Sequence, residues 1–325
     1  MHVLSDILLE DHLKCSSKSY LHLQGRSGRA TDYSVLCSQL DASYRAGVAH
    51  WLAAQSTGRV SRFGGSRLQS LTSSDAIILD AVGEADGLET HFDGLQRISS
   101  GSRLGTYQYR PIRFCRQMQP NSAIYLLLAF DALVLRHLQG VSPEHGVLLC
   151  GPTFRRITVR LRKHAHSLAA VLTRLRLQIA SANEPPLVLN RHCEMCEFKQ
   201  LCRDKAVEAD NLTLLRGMTL KEMARHNSKG IFSVKQLSYT FRPRRPAKRQ
   251  KQQFRHNFAL QALALRENKI HVHGDPIFAL PSTQVYLDIE GLPDRRLFYL
   301  IGVLVVTGGS ASGSWLGRTD PLSQQ

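Results

Sequence analysis

Thirteen residues, NRHCEMCEFKQLC from Asn190 to Cys202, constrain the fold more than any other stretch. They hold three of the chain's seven cysteines, spaced C-x2-C-x5-C. Thiolates this close in sequence can be presented by one loop to one soft or borderline metal centre. C-x2-C occurs in both zinc and iron–sulfur sites. A fourth ligand is still needed. His192 offers a Cys3His zinc set, but it adjoins Cys193, and neighbours rarely reach one tetrahedral ion together. The other source is a cysteine distant in sequence. An odd number of cysteines argues against a disulfide framework, and the amphipathic, acid-bearing start MHVLSDILLEDHLK is not a signal peptide. A reducing, cytoplasmic setting is expected. There Cys37, Cys115 and Cys150, isolated in sequence, are expected to be small buried hydrophobes.

The 325 residues, 43% of them hydrophobic, suffice for two modest domains with real cores. A net charge of +16 points to a polyanionic partner, nucleic acid before an anionic membrane. No stretch approaches the ~18 continuous apolar residues of a membrane helix. Residues 1–60 read as mainly helical, with a turn-rich break at QGRSGRATD. Residues 75–115 shift to strand periodicity with Gly/Ser turns, a meander. NSAIYLLLAFDALVLRHLQG is an apolar-faced helix ending at Gly140, GVLLCG and RRITVRL are two further strands, and a helix follows, stopped by Pro185 and Pro186. This order predicts one α/β domain over residues 1–205.

Residues 206–240 read as short helices joined by glycine turns. Residues 241–282 open with RPRRPAKRQKQQFRH, seven Lys/Arg and no acid from Arg242 to Arg255, and read as a basic linker. From residue 283 to 325 a new pattern begins. VYLDIEGLPDRRLFYLIGVLVVTGG predicts a β-hairpin with Asp288 and Glu290 inside its first strand. A hairpin alone cannot bury its apolar face, so this segment is expected to be the truncated start of a further domain.

The HCEMCEFKQLC segment after a Pro-Pro pair resembles the C-terminal cysteine cluster of RecB-like nucleases of the iron–sulfur type, which belong to the PD-(D/E)XK group. SDILLEDHLKCSSKSYL resembles that family's N-terminal cysteine helix. The resemblance implies a restriction-endonuclease-like core and a [4Fe–4S] cluster on Cys15, Cys193, Cys196 and Cys202, with zinc as the alternative. It also implies an acid on one strand and a Glu/Asp-x-Lys on the next, holding Mg²⁺ or Mn²⁺ for phosphodiester hydrolysis. Asp93 in HFDGLQRI is the candidate metal ligand, with Glu84, Asp86 and Glu89 as weaker alternatives and His50 at the family's early histidine position. The next strand, YRPIRFCRQM, departs from the pattern: Arg113 and Cys115 stand where the acid and lysine belong.

Two downstream segments carry their own resemblances. LLRGMTLKEMARHNSKGIFSVKQLSYTF resembles a helix–hairpin–helix element, which implies phosphate contacts at Lys229, Gly230 and Ile231. Arg242, Arg244, Arg245, Lys248 and Arg249 would add salt-sensitive phosphate contacts. YLDIEGLP…FYLIGV resembles the first strand pair of an RNase H-like, DEDD-type exonuclease domain, which implies metal binding at Asp288 and Glu290 in a site that is incomplete here. Together these resemble RecB-like nucleases with an RNase H-like domain, often followed by helicase modules. Three expectations remain open: a DNA nuclease, a catalytically degenerate nucleic-acid-binding module, and a zinc-stapled scaffold for a helicase partner.

Overall fold

The computed structural model describes residues 3–68, 71, 74–181, 183–242, 257–271, 281–292, 297–308 and 310–317. They fall into two compact units, Met1–His271 and Val272–Gln325. The first begins with β1 (Leu4–Ser5), α1 (Asp6–Lys14), α2 (Ser16–Leu23) and α3 (Asp32–Gln55). Then come β2 (Val60–Arg67), β3 (Ile77–Ala85), β4 (Leu88–Ile98), β5 (Gln108–Cys115), α4 (Ser122–Gln139), β6 (His145–Cys150), β7 (Arg155–Arg160) and α5 (Arg162–Ser181).

The strands make one seven-stranded mixed sheet in the order β2-β3-β4-β5-β6-β7, with β1 attached to β4. β3, β4 and β5 form the expected antiparallel meander. α4 carries the chain across to β6, which lies parallel to β5, as parallel neighbours require. On one face Val48, Ala49 and Leu52 of α3 cover Ile77, Leu79, Ile112, Phe114, Val147 and Leu149. On the other, α1, α4 and α5 bring Leu9, Phe130, Leu135 and Leu172 onto Ile78, Phe92, Leu95 and Leu148. The result is a mixed α/β, three-layer unit. Burial on both faces explains why IIL in β3 and VLL in β6 run apolar rather than alternate. α4 alone among the described helices is long and apolar enough to cross a membrane, and half of it is buried in this fold.

Besides β3, β4 serves two partners. Its start pairs in parallel with β1, through Leu4 with Leu88 and Ser5 with Glu89, and its end pairs with β5 from Gly94 to Ile98. Asp93 lies at the parting between these two pairings.

After α5 come α6 (Lys199–Glu208), α7 (Leu220–Asn227), α8 (Val234–Ser238) and α9 (Phe258–Glu267). α9 corrects the expected linker over 241–282: FALQALALRE folds as a helix, and its Ala262 packs with Leu212, Met223, Val234 and Leu237. Its apolar spacing is overshadowed in sequence by the basic run before it. The second unit is an antiparallel sheet of β8 (Thr283–Leu292), β9 (Leu297–Thr307) and β10 (Ser310–Gly317), with β9 central. The predicted hairpin therefore carries a third strand, SASGSWLG, whose serines and glycines hide its strand character.

Candidate metal centre and acid cluster

Cys15 is an extended residue between α1 and α2, where the helical path breaks. Cys193 lies in a single 3-10 turn (Arg191–Met195), Cys196 ends that turn, and Cys202 is on α6. These four cysteines line one small cavity, together with Lys18, His192, Phe198 and Lys199. Among the described residues no group of three or more His, Cys, Asp or Glu side chains is gathered as a ready single-ion site. The Cys193 sulfur accepts a hydrogen bond from the Asn190 N–H (3.2 Å). Burial pushes the Cys196 and Cys202 thiols up to about 11, and the nearby Cys15 sulfur adds to both shifts. Thiols held this way stay protonated near neutrality unless a cation takes the charge. His192 lines the same cavity, and its Nε2 is buried with no hydrogen-bond partner among the described residues. Four soft donors and one orphaned imidazole nitrogen on one cavity fit a thiolate-bound metal group.

The two halves of this site are joined by polar contacts. His22 on α2 bridges Asp11 (2.6 Å) and Glu197 (3.2 Å), and Lys18 reaches the same two carboxylates (3.1 and 3.2 Å). Asn190 donates to the Lys14 carbonyl (3.1 Å). Gly28 lets the backbone approach: a Cβ there would meet the Glu197 carbonyl oxygen at 2.6 Å, beside the bond that the Arg29 N–H donates to it (2.9 Å). None of these residues was singled out from sequence, because their partners lie far away along the chain.

The acid cluster differs. Asp93 is buried; one oxygen is ion-paired with Arg45 of α3, and the other accepts the Phe114 N–H (2.7 Å). Arg113, in the position where the resemblance expects an acid, is also buried. It grips Asp131 of α4 with two bonds (2.8 and 2.7 Å) and donates to Asp6 of α1 (3.1 Å). Thr90 adds a bond to Asp131 (2.6 Å). Burial penalises the Arg113 charge, yet Asp131 and Asp6 hold its pKa above the ordinary arginine value. Asp131 had a sequence signal: a lone acid inside the apolar run LLLAFDALVL implies an opposite charge beside it.

No protein-family model matches the chain, and no curated protein matches it significantly.

The other predicted residues can be placed singly. Glu84 and Glu89 both pair with Arg67 (2.6 and 3.1 Å), Asp86 occupies the turn between β3 and β4, and His50 is exposed on α3. Cys115 and Cys150, isolated in sequence, are register partners on β5 and β6, and the Cys115 thiol donates to the Gln117 carbonyl (3.6 Å). These two cysteines are buried as expected, whereas Cys37 is only half-buried. Lys229, Gly230 and Ile231 form the turn between α7 and α8, but their N–H groups already donate to the carbonyls of His226, Asn227 and His226 (2.9, 2.9 and 3.1 Å). The start of α8 is occupied as well, by the Ser233–Gln236 capping box and by Asp210, which accepts from the Val234 and Lys235 N–H groups. The expected phosphate-holding backbone is thus spent internally. Arg242 is exposed, while Arg244, Arg245, Lys248 and Arg249 lie outside the described residues. Asp288 and Glu290 are exposed on one face of β8, opposite Gly302 and Leu300 of β9.

Proposed function

We propose that this chain is a nucleic-acid-binding protein built on a RecB-like, restriction-endonuclease-like core whose nuclease centre has been replaced by an arginine–carboxylate lattice. The observation that carries the reading is Arg113 clasped between Asp131 and Asp6, with Asp93 tied to Arg45. A two-carboxylate metal site needs oxygens free to bind Mg²⁺ or Mn²⁺. Here the candidate oxygens are committed to guanidinium and backbone donors. The meander that brings Asp93 and Arg113 onto neighbouring strands, the helical crossover to a parallel strand and the +16 charge support a nuclease-derived binding fold.

Cys15, Cys193, Cys196 and Cys202 would hold a [4Fe–4S] cluster, with zinc as the alternative and His192 as its spare ligand. Such a group would supply a covalent staple between the N-terminal helices and the end of the α/β unit. Asp11, His22, Lys18 and Glu197 orient the two sides of that staple. Asp288 and Glu290 would be metal ligands of an RNase H-like site, and a helicase module is the partner this reading expects.

The test is binding against cutting on single-stranded DNA with Mg²⁺ or Mn²⁺. Binding that falls steeply with salt, without cutting, is the expected result. Cutting that Asp93→Ala abolishes would instead make the chain a working nuclease. Iron, sulfide and zinc content of anaerobically purified protein tests the staple. About four irons and four sulfides are expected; one zinc would favour the alternative.

A further inference from the structure

The α3-covered face of the sheet carries a second arginine arrangement, opposite in kind to the one around Arg113. Gln96 of β4 and Arg110 of β5 are register partners. The Gln96 Oε1 accepts from Arg110 Nε (3.1 Å) and Nη2 (2.9 Å), and also from Arg156 Nη2 of β7 (2.6 Å). One neutral carbonyl oxygen therefore holds two guanidiniums together. Among the described residues neither arginine has a carboxylate partner, whereas Arg45, Arg67 and Arg113 of the same unit each have at least one.

We propose that Arg110 and Arg156 form a seat for a backbone phosphate of nucleic acid, with Gln96 keeping the two guanidiniums aligned. This rests on the nucleic-acid reading above and gives it a location. A phosphate offers several charged oxygens to a pair of planar forks, so that both partners of each bond are ionised and paired bonds can form, which one neutral carbonyl oxygen cannot provide. Gln96 supplies one oxygen and no charge, so the repulsion between the guanidiniums is uncompensated until an anion arrives. In accord with this, burial and then Arg156 hold Arg110 below the ordinary arginine value. Arg156 is exposed on the edge strand, so the seat is open to a long polymer. Arg155, next along β7, points to the other face of the strand and donates to the Met118 carbonyl (3.0 Å). It is the natural control.

The experiment measures single-stranded oligonucleotide binding by the full chain across a salt series, for wild type, Arg156→Gln, Arg110→Ala/Arg156→Gln and Arg155→Gln. Wild type and Arg155→Gln are expected to bind alike. The double variant is expected to bind about tenfold more weakly at low salt, with a salt slope shallower by about one. Arg156→Gln, an exposed change that should leave the fold intact, is expected to show most of that loss. Oligonucleotide binding by wild type that both variants retain would overturn the seat and leave the general reading standing. No oligonucleotide binding by wild type would overturn both. Inorganic phosphate binding that the variants lose, with oligonucleotide affinity unchanged, would make this a free-anion site and overturn the backbone assignment.

Discussion

The cysteine cavity and the acid cluster share one short helix. α1 begins with Asp6, which reaches Arg113, and ends at Cys15, which faces the cavity. The same stretch of chain thus contributes to two candidate metal sites with opposite electrostatics. At the cavity, donors line a common space, and burial opposes their ionisation. At the acid cluster, guanidiniums supply the positive charge that a metal would otherwise bring. A site able to recruit a cation retains unsatisfied donors, whereas the carboxylates of the acid cluster are already met by protein charge. The largest consequence concerns Arg113. Replacing it with Met leaves Asp131 and Asp6 buried without their counter-charge. A loss of about 3–5 kcal/mol in unfolding free energy is expected, read from urea denaturation. Arg113→Met/Asp131→Leu should lose less than Arg113→Met alone, because the apolar pair leaves fewer charges stranded. Equal losses would mean that the lattice is not coupled as its geometry implies.

The cavity side of the comparison is tested by metal content. Cys15→Ser should lose bound iron as fully as Cys196→Ser, although Cys15 is far from the other three cysteines in sequence. Full iron retention by Cys15→Ser would place the fourth ligand elsewhere, with His192 the next residue to replace. His22→Ala is expected to weaken retention without abolishing it, since His22 touches Asp11 and Glu197 rather than the cavity. Effects of such supporting residues on metal affinity run to about 10–100-fold.

What the sequence conveyed divides along the same line. The meander, the long helices and the strands on either side of residue 150 follow from apolar periodicity, which is local. The three clustered cysteines follow from spacing, and Cys15 entered only by resemblance. The arginine lattice stayed hidden because its members are dispersed: Asp6 and Arg113 are 107 residues apart, and Arg113 and Asp131 are 18 apart across a strand and a helix. β1 is two residues long, and β10 is rich in serine and glycine; pairing partners, not propensity, make them strands. Arg113 was visible only as a departure from an expected motif, and the structure supplies its reason: it is a buried counter-ion.

Asp93 brings the acid cluster's role to a smaller test. Its side chain is almost wholly buried, but its partner Arg45 is 47% exposed and can turn to solvent. Asp93→Asn keeps an oxygen for the Phe114 N–H and forfeits the ion pair. A cost of about 1–2 kcal/mol is expected, below that of Arg113→Met, with DNA binding unchanged. A metal-dependent rise in melting temperature in wild type that Asp93→Asn abolishes would show that Arg45 yields to a cation, and the contrast between the two sites would then narrow.

Gly230 extends the comparison to the predicted phosphate turn, with the smallest effect. Gly230 has φ +74°, and a Cβ there would meet nothing within 4 Å. Gly230→Ala therefore costs only the backbone strain of a left-handed residue, about 1 kcal/mol. The N–H groups of Lys229, Gly230 and Ile231 are already bonded to carbonyls of α7, so the turn acts as a helix stop rather than an anion cradle. Stability should fall by that amount while oligonucleotide affinity at low salt stays at the wild-type value. A fall in affinity larger than the loss in folding free energy would mean that the turn opens to take phosphate. Internal saturation of donors would then be a resting state, and the arginine lattice around Arg113 would call for the same test.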